Sequence, residues 1–189
     1  MLNKILWYLI RPKYYTQFIF LIVKKINLKF RGKRIENNLQ WCISNAITTN
    51  DAILKITGTK IDQKVSDIYS DIFHESNKKI KKCPVKMGGS ANIDLLYYLC
   101  EYLKAKKVLE TGVAYGWSTL SILLSINKRN NSKLVSTDMP YPGLDDSYVG
   151  LVIPEKLKEK WTIIKDAPPF SIFLAWPKNK CATKFFSNF

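Results

Sequence analysis

The sequence predicts an α/β fold in which a parallel sheet follows a helical N-terminal region. Three short runs are interpreted as buried parallel strands: Val108-Leu109 just before Glu110, residues 134–137 and residues 161–164. An amphipathic segment at 118–126 and a short helical one after Pro154 lie between them, so strands alternate with helices. Such alternation favours parallel pairing through right-handed crossovers.

Composition divides the chain into three segments. Residues 1–84 are basic and carry apolar positions at helical spacing. Residues 85–166 hold the predicted strands. Residues 167–189 begin Ala-Pro-Pro, contain no acidic residue and show no clean period. We therefore expect a helical region, an α/β unit and an irregular tail, and an aberrant origin of the tail stays open.

The charge of the chain is strongly positive, because 30 Lys and Arg face 15 Asp and Glu. Such an excess suits nucleic acid or an anionic membrane surface. However, only four of the basic residues are arginine, whose planar guanidinium is the usual reader of phosphates and bases. A compositional bias towards Lys, Ile and Asn explains the excess better. Nucleic acid is thus an unfavoured partner, and a nucleic-acid-binding or -methylating protein is kept as an alternative.

Cysteine and histidine usage argues against a disulfide framework and against a metal site. The single histidine, His74, lies beside an apolar helical face and is interpreted as a packed or solvated side chain. The cysteines show no CxxC spacing, which favours reduced thiols in a cytoplasmic protein. They are Cys42, Cys83, Cys100 and Cys181.

Residues 1–34 contain nine basic residues and no acidic one. Two apolar patches, 5–10 and 18–23, lie on either side of Pro12, which interrupts a continuous helix. Neither patch approaches the ~20 apolar residues of a membrane span. Two interpretations stay open: a helix packed on the domain, or a basic amphipathic segment at a membrane surface. The second would make the protein membrane-peripheral. A further alternative on the same basis is a non-enzymatic membrane-surface protein.

Residues 107–119, KVLETGVAYGWST, hold the features around which the α/β unit is organised. An apolar strand ends at Glu110, glycines follow at Gly112 and Gly116, and a helix begins near Ser118. Glycine permits positive φ and close approach of the backbone to a ligand. The N-terminus of the helix presents backbone N–H groups to that ligand. The stretch therefore predicts a site for a small polar ligand.

Acidic residues lie at or just beyond the ends of all three predicted strands: Glu110, Asp138 and Asp166. Parallel strands end at one edge of the sheet, and open α/β sheets bind ligands there. Asp138 is placed to accept hydrogen bonds from the hydroxyls of a ribose. A carboxylate in this position suits the ribose of any cofactor that contains a nucleoside, including NAD.

The turn itself distinguishes between such cofactors. A dinucleotide site has the spacing G-x-G-x-x-G, whereas here Glu110 precedes Gly112 by two residues and Ala114 stands between the glycines. A carboxylate at this place repels a pyrophosphate and favours a cationic amino-acid group. S-adenosylmethionine has that group, a sulfonium and no phosphate. A P-loop is excluded because the chain has no GK[ST].

The stretches VLETGVAYGWST and KLVSTDMPY resemble motifs I and II of class I S-adenosylmethionine-dependent methyltransferases. The resemblance covers roughly residues 85–166, and its turn is most similar to VLExGxxxGxS of small-molecule O-methyltransferases of the catechol and macrocin type. It implies a Rossmann-like sheet, S-adenosylmethionine as cofactor, and methylation of a hydroxyl on a small or sugar-like substrate.

The resemblance also implies which residues contact the methionine part of the cofactor. Glu110 would face this end of the cofactor, and Ser118 would bind its carboxylate. Gly112 and Gly116 would let the backbone approach closely, with Ala114 at the middle position of the turn.

For the nucleoside part, the resemblance implies three further contacts. Asp138 would hold the ribose, Met139 would pack on the adenine, and Asp166 would lie near the adenine. A turn aspartate in solvent explains Asp166 equally well.

The sheet of this family has seven strands, whereas this sequence supplies three. The later strands of the family bring the catalytic base, any metal-binding acids and most of the substrate pocket, and residues 167–189 do not resemble them. We therefore expect a truncated or frame-shifted product that binds cofactor, with turnover in doubt and no catalytic residue assigned. The first strand would then be a sheet edge open to association with another chain.

Overall fold

The structure, a computed structural model, describes residues 2–30, 32–90, 92–139 and 146–165. Asp166 and the tail at 167–189 lie outside these ranges, so what is expected of them stays a prediction. The same holds for the proposed segment boundaries after residues 84 and 166.

Seven of the nine α-helices in the described residues precede the sheet, which confirms the predicted helical N-terminal region. Pro12 begins a 3-10 turn, Pro12–Tyr14, that separates the first two helices. The helices are α1 Leu2–Leu9, α2 Tyr15–Phe30, α3 Gly32–Ser44, α4 Thr49–Thr57, α5 Val65–Ile68, α6 Ser70–Lys81, α7 Ile93–Tyr102, α8 Trp117–Ile126 and α9 Glu155–Lys158.

Three parallel strands form the predicted sheet: β1 Lys107–Thr111, β2 Lys133–Asp138 and β3 Trp161–Lys165. Their order is β1-β2-β3, with both pairs parallel. Strands that are neighbours in sequence and in the sheet, with helices between them, correspond to one half of a Rossmann-like sheet. The α/β prediction is therefore confirmed. Among the described residues, β1 pairs on one side only.

Helix α8 forms the centre of the hydrophobic core. It is buried along nearly its whole length, and Leu120, Leu123 and Ile126 are fully buried. Each such side chain stabilises the fold by about 1.5–3 kcal/mol relative to an exposed one. Helix α7 packs along α8, and Asn92 caps α7 by accepting the N–H of Leu95 at 3.4 Å. This packing gives the start of α8 a rigid support.

Helices α1 and α2 with the 3-10 turn between them, here called the N-terminal helix pair, share a small aromatic core. The rings of Tyr8 and Phe18 stack with centroids 5.1 Å apart, and Trp7 lies edge-on to Tyr8 at 5.0 Å. Tyr8 and Tyr14 are buried in this core, and Met139 packs against it. The N-terminal helix pair therefore contacts the chain just beyond β2.

Two local features shape the helical region. The apolar positions of residues 65–73 fall on two helices, because Tyr69 has φ −121° and ψ 42° and ends α5 before α6 begins. Thr48 caps α4 by accepting the N–H of Asp51 at 3.1 Å.

Burial also sets the chemistry of two groups on α7. It raises the pKa of the Cys100 thiol to about 11, so this cysteine is an inert core residue, whereas Cys42 is exposed. Burial likewise raises the pKa of Tyr97 to about 12. Lys128, just after α8, donates a hydrogen bond to the Tyr97 hydroxyl at 2.8 Å and so ties the two helices together.

Candidate cofactor site

The connection from β1 to α8 is a tight turn at the carboxyl end of the sheet. Gly112 and Gly116 have positive φ, 81° and 92°, and Ala114 between them has φ 50°. Such values suit glycine, while a residue with a Cβ is strained there. The N–H of Gly116 donates to the Val113 carbonyl at 2.8 Å, and the N–H of Gly112 donates to Thr137 of β2 at 2.7 Å. The turn is thereby fixed to the neighbouring strand.

Glu110, near the end of β1, carries a buried carboxylate that accepts three hydroxyl hydrogen bonds. Ser118 donates to Oε1 at 2.5 Å, and Thr119 donates to Oε2 at 2.7 Å. Ser136 of β2 also donates to Oε2, at 2.6 Å. Because Ser118 and Thr119 lie in the first turn of α8, the negative charge of Glu110 is stabilised by the positive end of that helix. One side chain thus joins β1, β2 and α8.

Asp138, the last residue of β2, binds the turn from the other side. Its Oδ2 accepts the backbone N–H groups of Val113 at 3.0 Å and Ala114 at 3.2 Å. Its Oδ1 accepts the N–H of Met139 at 2.9 Å. A carboxylate has about four acceptor positions, and the described residues occupy three of them. Asp138 is half-buried, so part of this residue is accessible.

A second loop closes tightly on the turn. The N–H of Gly150 donates to the Ala114 carbonyl at 2.9 Å, and the N–H of Val152 donates to Tyr115 at 3.1 Å. A Cβ added to Gly116 would lie 3.0 Å from the Gly150 Cα and 3.1 Å from Ile153. In contrast, a Cβ on Gly112 would meet nothing within 4 Å. Gly116 therefore serves backbone packing, whereas Gly112 faces open space.

An open hollow of about 460 Å³ adjoins the turn on the side of the helical region. Tyr115 and Trp117 line it from the turn and α8, and Phe73 of α6 stacks on Trp117 with ring centroids 5.5 Å apart. The Tyr115 hydroxyl donates to the Val85 carbonyl at 2.5 Å and accepts the N–H of Met87 at 3.1 Å, which holds the loop before α7 in place. The rest of the wall comprises Ser66, Asn77, Ile80, Lys86, Met87, Gly88, Gly89, Ser90 and Ile93.

The structure brings seven of the eight predicted site residues to one end of the sheet. They belong to β1, the turn, the start of α8 and the end of β2. Asp166 lies outside the described residues. The roles of all eight towards a cofactor stay predictions. The seven residues are Glu110, Gly112, Ala114, Gly116, Ser118, Asp138 and Met139.

Sequence reasoning missed two residues that hold the Glu110 carboxylate and one that packs against the turn. Thr119 and Ser136 donate to Glu110, and Gly150 packs against the turn. A sequence signal existed for Thr119, because it directly follows Ser118 at the predicted helix start. Ser136 and Gly150 carried none, because their relation to the turn depends on strand register and on a loop path. In the described part of the chain, no three His, Cys, Asp or Glu side chains are grouped so as to hold a metal ion.

No family model and no curated protein matches the chain. Among solved structures, it is similar to the O-methyltransferase of Bacillus cereus in complex with SAH, at 12% identity over 66% of this chain and 52% of that one, with a TM-score of 0.41. It is similar to TomG of Streptomyces achromogenes, an O-methyltransferase in complex with SAM, at 13% identity over 70% and 56%, TM-score 0.41. A third is the SAH-bound methyltransferase PaMTH1 of Podospora anserina, at 12% identity over 58% and 52%, TM-score 0.37. The chain spans about half the length of the structures that it matches.

Proposed function

We propose that the α/β unit binds S-adenosylmethionine and belongs to a methyltransferase that acts on a hydroxyl group of a small or sugar-like substrate. The observation that carries the proposal is the pair of carboxylates on either side of one glycine turn. Glu110 is bound to the first turn of α8, and Asp138 is bound to the backbone of the turn itself. The ligand space next to this turn is therefore flanked by negative charge.

This charge distribution separates the candidate ligands. In dinucleotide and P-loop sites, the helix N-terminus after the turn binds a phosphate. Here Glu110 already occupies the neighbourhood of that helix end and takes the hydroxyls of Ser118 and Thr119. A phosphate added there would meet a buried carboxylate, and like charges at short range repel. A cationic sulfonium with an ammonium group is attracted by the same arrangement.

Asp138 supports the nucleoside part of the proposal. The remaining acceptor position of its carboxylate suits one ribose hydroxyl. To accept both hydroxyls of the ribose, the carboxylate has to release one of its hydrogen bonds to the backbone. Met139 is half-buried beside it and offers an apolar side chain for a purine ring.

S-adenosylmethionine held beside Glu110, Asp138 and the glycine turn would supply an activated methyl group for an acceptor oxygen and leave as its demethylated product. The protein contributes mainly by holding the two partners in line, and the hydroxyl proton passes to a base. We assign no described residue as that base. The hollow beside Tyr115 and Trp117 adjoins the turn and is the place where we expect the acceptor to bind.

The sharpest test of the site compares two glycines with the same backbone requirement. Gly112 has φ 81° and Gly58, at the C-cap of α4, has φ 73°, and an added Cβ meets nothing within 4 Å at either position. Alanine at each should cost about 1–2 kcal/mol of folding free energy from backbone strain. Gly112→Ala should also reduce affinity for S-adenosylmethionine at least about tenfold, because its Cβ enters the ligand space; this is about 1.4 kcal/mol of binding free energy.

Thermal melting first establishes that the wild type and both variants are folded. Calorimetric titration then measures the affinity of each for S-adenosylmethionine. Gly58→Ala is expected to bind like the wild type. Equal affinity in all three proteins would show that Gly112 is not part of the cofactor site. Equal losses in Gly112→Ala and Gly58→Ala would mean that the turn has only a structural role.

A further inference from the structure

The N-terminal helix pair exposes an unusual amount of apolar surface. Residues 19–23 of α2, the run Ile-Phe-Leu-Ile-Val, are all exposed, and Phe20 exposes 67% of its surface. At the end of α1, Leu9 and Ile10 are exposed as well, Ile10 by 69%. Consecutive helical residues are about 100° apart around the axis, so this run covers every side of α2. A helix segment that is apolar all round is normally covered by something apolar.

The charge of the same segment indicates what covers it. From residue 1 to residue 35 the chain has nine basic residues and no acidic one, and Glu36 is the first carboxylate. Lys13, in the 3-10 turn before α2, and Lys25, the second residue beyond its apolar run, are exposed. Basic side chains on both sides of an apolar patch match the structure of an anionic bilayer, in which negative headgroups lie above hydrocarbon.

We propose that the N-terminal helix pair docks on the surface of an anionic lipid membrane. The apolar run of α2 enters the boundary between headgroups and acyl chains, and Lys13 and Lys25 contact the headgroups. Helix α2 has 16 residues, which at 1.5 Å per residue makes about 24 Å, shorter than a hydrocarbon core of about 30 Å. Within the described residues, no helix is long and apolar enough for a transmembrane span. The docking is therefore interfacial.

A second copy of the chain is a less suitable partner for this surface. Pairing two copies through α2 brings two segments, each with nine basic residues and no acid, into contact. Like charges at such distances disfavour association, especially at low salt. An anionic membrane turns the same charges into an attraction.

Vesicle flotation of the full chain tests the proposal. We expect the protein to float with vesicles of phosphatidylcholine and phosphatidylglycerol at low salt, and to stay unbound with pure phosphatidylcholine. Phe20→Glu should abolish flotation. Lys25→Glu should weaken partitioning by more than about fivefold, because one basic residue near an anionic surface contributes about that factor and the substitution also adds a negative charge.

Matched controls lie outside the helix pair. Ile56, exposed by 50% on α4, and the exposed Lys60 provide Ile56→Glu and Lys60→Glu, which should float like the wild type. Circular dichroism and thermal melting establish that each variant is folded. Absence of flotation by the folded wild type would overturn the proposal. So would equal binding to neutral and anionic vesicles, equal losses in the control variants, or a stable dimer in light scattering that Phe20→Glu dissociates.

Discussion

Replacing Glu110 by alanine is expected to destabilise the chain by about 3 kcal/mol or more, because each buried polar group left without a partner costs about 1–3 kcal/mol. The carboxylate is the common acceptor for Ser118, Thr119 and Ser136, which belong to α8 and β2. Without it, three hydroxyls lose their acceptor in a buried place, and the junction of β1, β2 and α8 gains a cavity. Urea unfolding followed by circular dichroism measures the change, through the denaturation midpoint at unchanged slope.

Two further variants make this result specific. Glu110→Gln keeps the volume and one carbonyl oxygen but removes the charge, so it should lose less stability than Glu110→Ala. Glu159→Ala removes an exposed glutamate next to α9 and should change stability by no more than about 0.5 kcal/mol. A Glu110→Ala protein as stable as Glu159→Ala would show that the hydroxyl network contributes nothing to the fold.

Replacing Asp138 by alanine is expected to weaken S-adenosylmethionine binding by about a hundredfold or more. The substitution removes the acceptor of the Val113, Ala114 and Met139 N–H groups, so the turn loses its fixed form. It also removes the predicted ribose contact. A hydrogen bond to a charged acceptor contributes about 1.5–3 kcal/mol. The altered turn and the lost ribose contact both weaken binding of the same ligand. Calorimetric titration measures the affinity, and hydrogen exchange at Val113 and Ala114 measures the order of the turn.

Asp94 offers a matched control for Asp138. Its Oδ1 accepts the N–H of Val65 at 2.8 Å. Asp94→Ala therefore also removes the carboxylate acceptor of a backbone amide, but of an amide outside the glycine turn. This variant should lose some stability and keep its affinity for the cofactor. If Asp138→Ala exchanged its Val113 and Ala114 amides faster but bound the cofactor as tightly as the wild type, Asp138 would have a structural role only.

Local sequence signals were sufficient for the parts of the fold that depend on neighbours in the chain. The three strands, the glycine turn and the break at Pro12 were all predicted from residue type and spacing. Each of these follows from backbone geometry or from apolar periodicity, which act over a few residues.

Features that depend on tertiary contacts were not predictable in this way. Ser136 reaches Glu110 because register places the two residues opposite each other on β2 and β1. Gly150 is needed because its backbone packs on Gly116, 34 residues earlier in the chain, and a Cβ on Gly150 would lie 2.5 Å from Trp161. The break between α5 and α6 at Tyr69 is not marked by a proline or a glycine in the sequence. Such constraints become visible only once the sheet and its loops are assembled.

The most direct test of the account is a calorimetric titration of the folded wild-type chain with S-adenosylmethionine, its demethylated product SAH, NAD and ATP. We predict saturable one-to-one binding of S-adenosylmethionine and SAH, with no heat from NAD or ATP, because the carboxylates beside the turn repel phosphates. A protein that melts cooperatively yet shows no heat with millimolar S-adenosylmethionine, or that binds NAD or ATP as well, would contradict it.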